Sequence, residues 1–109
     1  MTPRIEIVKG TLDLLILRTV ELRPMHGVAI ADRILQITKG AFQVKPGSLF
    51  PALHRLEEEG WIAGEWQQSP DGRRVRSYTL TRAGRRQLET RKAAWEAVVL
   101  AVGQVLESS

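Results

Sequence analysis

Two changes of apolar period, one at Gly60 and one at Thr81, constrain what this chain can fold into more than any other feature. Ahead of Gly60 the apolar residues recur every three to four positions, the spacing that places them on one side of an α-helix. In residues 61–67 and 75–80 they alternate, as they do on a half-buried strand. Between these two segments stands Ser69-Pro70-Asp71-Gly72, a strong turn signal. Past Thr81 the helical period returns and runs almost to the end of the sequence. A β-hairpin is therefore enclosed between helical segments.

The helical segments divide further. Thr11 opens a first helix through residue 22, closed by Arg23-Pro24. Leu12, Leu15, Ile16, Thr19 and Val20 fall at helical spacing, and Leu14 and Leu17 widen the apolar surface beyond one stripe, so this helix belongs in the core. Pro24-Met25-His26-Gly27 breaks the chain, and Ile30, Ile34 and Ile37 then define a second helix over roughly 27–37, with Gly40 as its terminator. Residues 41–45 suit a short extended piece, and residues 1–9, with Pro3 and alternating Ile5 and Ile7, a short arm. A third helix starts at Pro46-Gly47-Ser48, carries Leu49, Ala52, Leu53 and Leu56, and stops at Gly60. A proline is harmless in a helix only within the first turn, where its missing N–H had no partner. Pro51 therefore predicts an N-cap at or near Ser48. Thr81 is the expected N-cap of a final helix reaching about Leu106.

Helix, helix, helix, hairpin, helix is the order of a winged helix-turn-helix, a mainly α fold with one small β-hairpin. In that fold the third helix enters the major groove of DNA, about 12 Å wide, and the hairpin wing lies against the backbone. The 109 residues suit one domain. Residues 1–80 form its DNA-binding part, with the wing at about 61–80. Residues 81–109 form a C-terminal dimerisation helix packed on the same domain.

Charge supports a polyanionic partner. The formal net charge is +4, but residues 73–92 hold eight basic side chains and one acid, while the rest of the chain is slightly acidic. A local positive field is what phosphate binding requires. With Leu49, Ala52, Leu53 and Leu56 turned inward, the outer side of the third helix holds His54 and Arg55, flanked by Ser48 and Phe50. Its acids, Glu57-Glu58-Glu59, crowd the C-terminal end. The N-terminal half thus suits DNA: Ser48 toward a phosphate or base edge, Phe50 on a thymine methyl, Arg55 toward phosphate or guanine. Arg73 and Arg74 at the hairpin tip, and Arg76 one strand step on, complete the expected contact set.

Other chemistries lack their residues. Without cysteine there is neither a disulfide nor a thiolate metal site, and His26 and His54 do not form a zinc site by themselves. No Gly-rich phosphate loop or nucleophile–base pair is present, so the expectation is a non-enzyme without cofactor or metal. The N-terminus lacks a signal-peptide core and no apolar run approaches the ~20 residues of a membrane span, which points to the cytoplasm. The open alternative is a winged helix used purely for protein–protein contact.

In the final helix Leu88, Trp95, Val98, Val99, Val102, Val105 and Leu106 share one broad face. At ~1.5 Å per residue the helix is roughly 39 Å long, longer than a three-helix core can cover. The surplus face, from Trp95 onward, is expected at a two-fold homodimer interface, which in turn implies a pseudo-palindromic operator.

Several linked segments also resemble the PadR family of transcriptional regulators. Gly10-Thr11-Leu12-Asp13-Leu14-Leu15-Ile16-Leu17 resembles the family's opening helix, and Met25-His26-Gly27-Val28-Ala29-Ile30 its His-Gly-Tyr segment. Gly47-Ser48-Leu49-Phe50-Pro51-Ala52-Leu53-His54-Arg55-Leu56-Glu57-Glu58-Glu59-Gly60-Trp61 is similar to its reading-helix signature. Arg76-Ser77-Tyr78-Thr79-Leu80-Thr81-Arg82-Ala83-Gly84 resembles its strand-to-helix junction. Val28 and Phe50 stand where tyrosine is usual. The resemblance spans roughly residues 9–106 and implies a dimeric repressor of the compact subfamily with a single C-terminal helix. In drug-sensing relatives a tryptophan of this helix stacks on flat ligands, and Trp95 looks like the matching position; a small aromatic effector is implied there, with an interface anchor as the alternative. Trp61 and Trp66 read as packing residues of the hairpin.

Overall fold

The computed structural model describes residues 9–109, so the expected arm lies outside the described residues. The elements are α1 (Lys9–Leu22), β1 (Met25–His26), α2 (Gly27–Ile37), α3 (Pro46–Glu58), β2 (Ile62–Gln68), β3 (Arg74–Leu80) and α4 (Arg82–Glu107). The mainly α winged-helix expectation holds, and so does the long final helix.

Helix α1 is the hub. Ile16 and Leu17 are fully buried, and the helix touches α2, α3, α4 and β3. Around it Ile30 and Ile34 of α2, Leu49, Leu53 and Leu56 of α3, Ile62 of β2 and Leu88 of α4 close a single core. Each such aliphatic side chain contributes about 1.5–3 kcal/mol by leaving water.

The expected hairpin forms, with Ile62 opposite Leu80 and Gln68 opposite Arg74. It is part of a three-stranded antiparallel sheet in the order β1-β3-β2, because Met25 and His26 pair with Tyr78 and Ser77. The segment after Pro24, read as a break, is thus a strand. Two residues carry no periodicity, and only the passing edge of β3 makes them one. Residues 41–45 have no regular secondary structure and join no ladder.

Helix α3 begins at Pro46, not at Ser48: its N-cap is Lys45, and the Ser48 and Leu49 N–H groups donate to the Lys45 carbonyl at 3.0 and 2.9 Å. Pro46 supplies the fixed φ that suits a first helical residue. Pro51 consequently falls in the second turn, where it leaves the Gly47 carbonyl without its helical donor. Gly47 is exposed, so the loss is borne where solvent reaches it. At the other end Gly60, with φ +77°, closes the helix: its N–H donates to Glu57 and the Trp61 N–H to Leu56, both at 3.0 Å. This is the two-bond left-handed cap in which glycine is favoured. In α2 the equivalent left-handed position is Lys39, φ 53°, with Gly40 following it.

The Thr81 expectation also holds. Its hydroxyl accepts from the Gly84 N–H at 3.0 Å and donates to the Gly60 carbonyl at 2.6 Å, tying the start of α4 to the end of α3. A Cβ at Gly84 would run into the Trp61 carbonyl, so glycine lets α4 lie directly on backbone.

Candidate nucleic-acid interface

Helix α3 presents the two faces that its sequence implies. Leu49, Ala52, Leu53 and Leu56 are buried, while Ser48, Phe50, Pro51 and His54 are exposed. Phe50 is 48% exposed, and its ring edge rests on α2, 3.1 Å from where a Gly27 Cβ would stand. A side chain at position 27 would displace that ring. His54 Nε2 sits 2.5 Å from the Glu58 carboxylate one turn on.

Arg55 does not join them. Its guanidinium turns back to α1 and grips the Asp13 carboxylate with both nitrogens, at 2.9 and 3.0 Å. The expected phosphate or guanine contact of Arg55 therefore competes with a bidentate pair on a buried acid, as charge-assisted bonds of this kind are strong.

The wing tip is built on a five-residue connection. The Ser69 N–H donates to the Arg73 carbonyl at 2.7 Å, and Gly72 turns the chain with φ +86°. The Ser69 hydroxyl, and then the Arg73 N–H, hold the Asp71 carboxyl below its ordinary pKa. Arg73 projects into solvent, its side chain 83% exposed, with Asp71 3.5 Å from its Nε. Arg74 and Arg76, two residues apart and so on one face of β3, lie 4.8 and 5.2 Å from the ring centre of Trp66 on β2. Trp66 is therefore not the packing residue expected: it is 55% exposed, with two guanidinium groups near its ring. Such cation–π contacts contribute about 0.5–1 kcal/mol each at exposed sites. Sequence reasoning missed this arrangement, although the register Trp66↔Arg76 follows once the hairpin loop is centred on residues 69–73.

Arg76 is also drawn inward. It pairs with Glu57 of α3, with Nε 3.3 Å from Oε1, and that hydrogen bond raises its already high pKa. The expected DNA contact by Arg76 thus competes with a bond joining wing to helix. Among the described residues, Arg74 has no carboxylate partner.

Between α2, α3 and the wing lies a groove of about 610 Å³, walled by Val28, Phe50, Trp66, Tyr78 and Arg74. Burial at its floor pushes the Tyr78 phenol above its ordinary pKa. Phe50 of α3 thus faces Arg74 and Arg76 of the wing across this one groove.

On α4, Leu88 is buried, but Trp95, Val98, Val99, Val102, Val105 and Leu106 are all 49–78% exposed. Trp95 and Val98 line a shallow groove of about 260 Å³ against Gly10, Thr11 and Leu14 of α1. The basic half of α4 faces α1 in part: Arg85 pairs with Glu21 at 3.2 Å, and Arg91 approaches Asp13 at 3.6 Å. Among the described residues no group of three or more potential metal ligands converges, and no helix is long and apolar enough to cross a membrane.

These features have close counterparts. Transcriptional regulator Rv3488 of Mycobacterium tuberculosis is 38% identical over 72 residues, which are 66% of this chain and 64% of that protein. The crystal structure of smu.1704 from Streptococcus mutans UA159 superposes with a TM-score of 0.84 at 25% identity, over 95% of this chain and 93% of the other. A PadR family transcriptional regulator from Eggerthella lenta gives 0.81 at 28% identity, over 93% and 86%. Residues 16–90 match the model of the transcriptional regulator PadR-like family, and the chain belongs to that family.

Proposed function

We propose that this regulator is a sequence-specific DNA-binding repressor that acts as a homodimer on a pseudo-palindromic operator. One observation carries the reading: Phe50 in the exposed N-terminal half of α3 and Arg74 of the wing line a single groove, and Arg73 projects into solvent at the wing tip beside it in sequence. A helix of about 10–12 Å diameter fits the major groove, and cations on its flank can fix it there by contacting the adjoining phosphates. Ser48, Phe50 and His54 are assigned to base edges and Arg73 and Arg74 to phosphates. The unpartnered face of α4 supports the dimer, with Trp95, Val98, Val99, Val102, Val105 and Leu106 at the two-fold interface. A dimer seated on a promoter excludes polymerase, which is the repressor mode that the family resemblance implies. Trp95, half exposed beside a shallow groove, is the assigned contact for a flat aromatic effector that releases the DNA.

The test is selection of binding sites from randomised double-stranded DNA, followed by salt titration of the affinity. Wild-type protein should select a two-fold motif. Arg73→Ala and Arg74→Ala should each weaken binding to all sequences alike and lower the salt slope by about 0.9 per lost phosphate contact, or about 1.8 per dimer. Duplex binding without salt dependence, or none at all, overturns the reading and favours a protein-contact module.

A further inference from the structure

Asp13 sits at the meeting point of α1, α3 and α4. Its side chain is 6% exposed and receives both Arg55 nitrogens from α3, while Arg91 Nη1 of α4 lies 3.6 Å from Oδ2. Arg91 reaches the end of α3 by a second route, because its guanidinium stands 5.0 Å from the ring centre of Trp61. Trp61 is the residue whose N–H closes the α3 cap on Leu56. We propose that Asp13 is a positioning residue: through Arg55 and Arg91 it locks the angle between α3 and α4, and so sets the half-site spacing that the dimer accepts. This rests on the DNA-binding dimer proposed above.

The lever arms make the lock consequential. Helix α4 lies on backbone at Gly84, which acts as a pivot. Arg91 follows seven residues later, about 10.5 Å along the axis. Leu88, between them, is buried but packs without directional bonds, so it fixes no angle by itself. Val102, in the middle of the exposed apolar face, is about 27 Å from the pivot. A slip of about 1 Å at Arg91 therefore becomes about 2.6 Å at Val102, close to the ~3.4 Å of one base-pair step. The α1–α4 pair of Arg85 with Glu21 is no second lock, because it lies one residue from the pivot and does not reach α3.

The variant that isolates the lock is Arg91→Gln, which leaves the Arg55–Asp13 pair and the apolar face of α4 in place. The probe is the duplex selected by wild-type protein, made also with one base pair added or removed between half-sites, a change of about 3.4 Å and 35°. Wild-type protein should lose about tenfold or more on either altered duplex, as for a mismatched base pair. Arg91→Gln should bind all three within about threefold and keep the same preferred half-site bases, because the exposed side chains of α3 and its Arg55–Asp13 anchor are unchanged. Arg91→Lys, which keeps a cation in reach of Asp13, and Arg85→Gln should both retain the wild-type discrimination. A purely structural role would lower the melting temperature and weaken the three duplexes in proportion. An Arg91→Gln protein that still discriminates tenfold overturns the proposal, as does wild-type protein that binds all three alike. Failure of wild-type protein to bind duplex at all would instead overturn the DNA-binding reading.

Discussion

Glycine at position 84 offers a test in which the sign of the effect is at stake. Replacing a glycine inside a helix by alanine ordinarily stabilises it, by up to about 1 kcal/mol. Here the added Cβ would meet the Trp61 carbonyl oxygen and carbon, and Leu80 Cδ1 at 2.7 Å. Leu80 can rotate away, but the carbonyl cannot, since it accepts the Thr81 N–H at 3.1 Å within the junction between hairpin and helix. To reach an ordinary contact of about 3.5 Å, the start of α4 must withdraw by more than an ångström. That movement strains the Thr81–Trp61 hydrogen bond, about 1 kcal/mol, and unpacks Leu88, now 2% exposed. With overpacking costs of about 1–3 kcal/mol, Gly84→Ala should destabilise by about 2–3 kcal/mol net of the propensity gain. The melting temperature should fall by about 10–15 °C. Urea unfolding followed by tryptophan fluorescence, at one protein concentration because a dimer's stability depends on it, measures the change. Gly47→Ala is the control, since nothing lies within 4 Å of a Cβ there; it should be neutral or stabilising. A Gly84→Ala protein as stable as wild type would refute the backbone-contact reasoning.

Two further outcomes are expected. Val98→Glu combined with Val102→Glu should abolish the dimer, since both valines are half exposed on the unpartnered face of α4 and like charges buried across a two-fold interface cost several kcal/mol. An unchanged dimer in sedimentation would remove α4 from the interface. Phe50→Ala should cost about 1–3 kcal/mol at one base pair and little elsewhere if its exposed ring meets a thymine methyl. A lower melting temperature with unaltered base preference would show instead that the ring only packs on Gly27.

What the sequence determined by itself is what depends on neighbours a few residues apart. Helical period over Leu49, Leu53 and Leu56, alternation on either side of Ser69-Pro70-Asp71-Gly72, the Gly60 stop and the Thr81 cap are all local signals, and each stands in the structure. The surplus apolar face of α4 was equally legible, because a 26-residue helix outruns a core of this size. The start of α3 was misjudged by a local rule: Pro51 alone argues for Ser48, but Pro46 preforms the first turn two residues earlier. Tertiary structure decided the rest, because it pairs residues that no spacing relates. Strand β1 exists because β3 returns 53 residues later to lie beside it, giving Met25 a partner in Tyr78. Which arginines are engaged within the chain was decided the same way. Arg55 finds Asp13 across 42 positions and Arg76 finds Glu57 across 19, while Arg73 remains at the tip in solvent. A guanidinium takes the best-oriented carboxylate in reach, and the packing of α1, α3 and the wing determines which one that is.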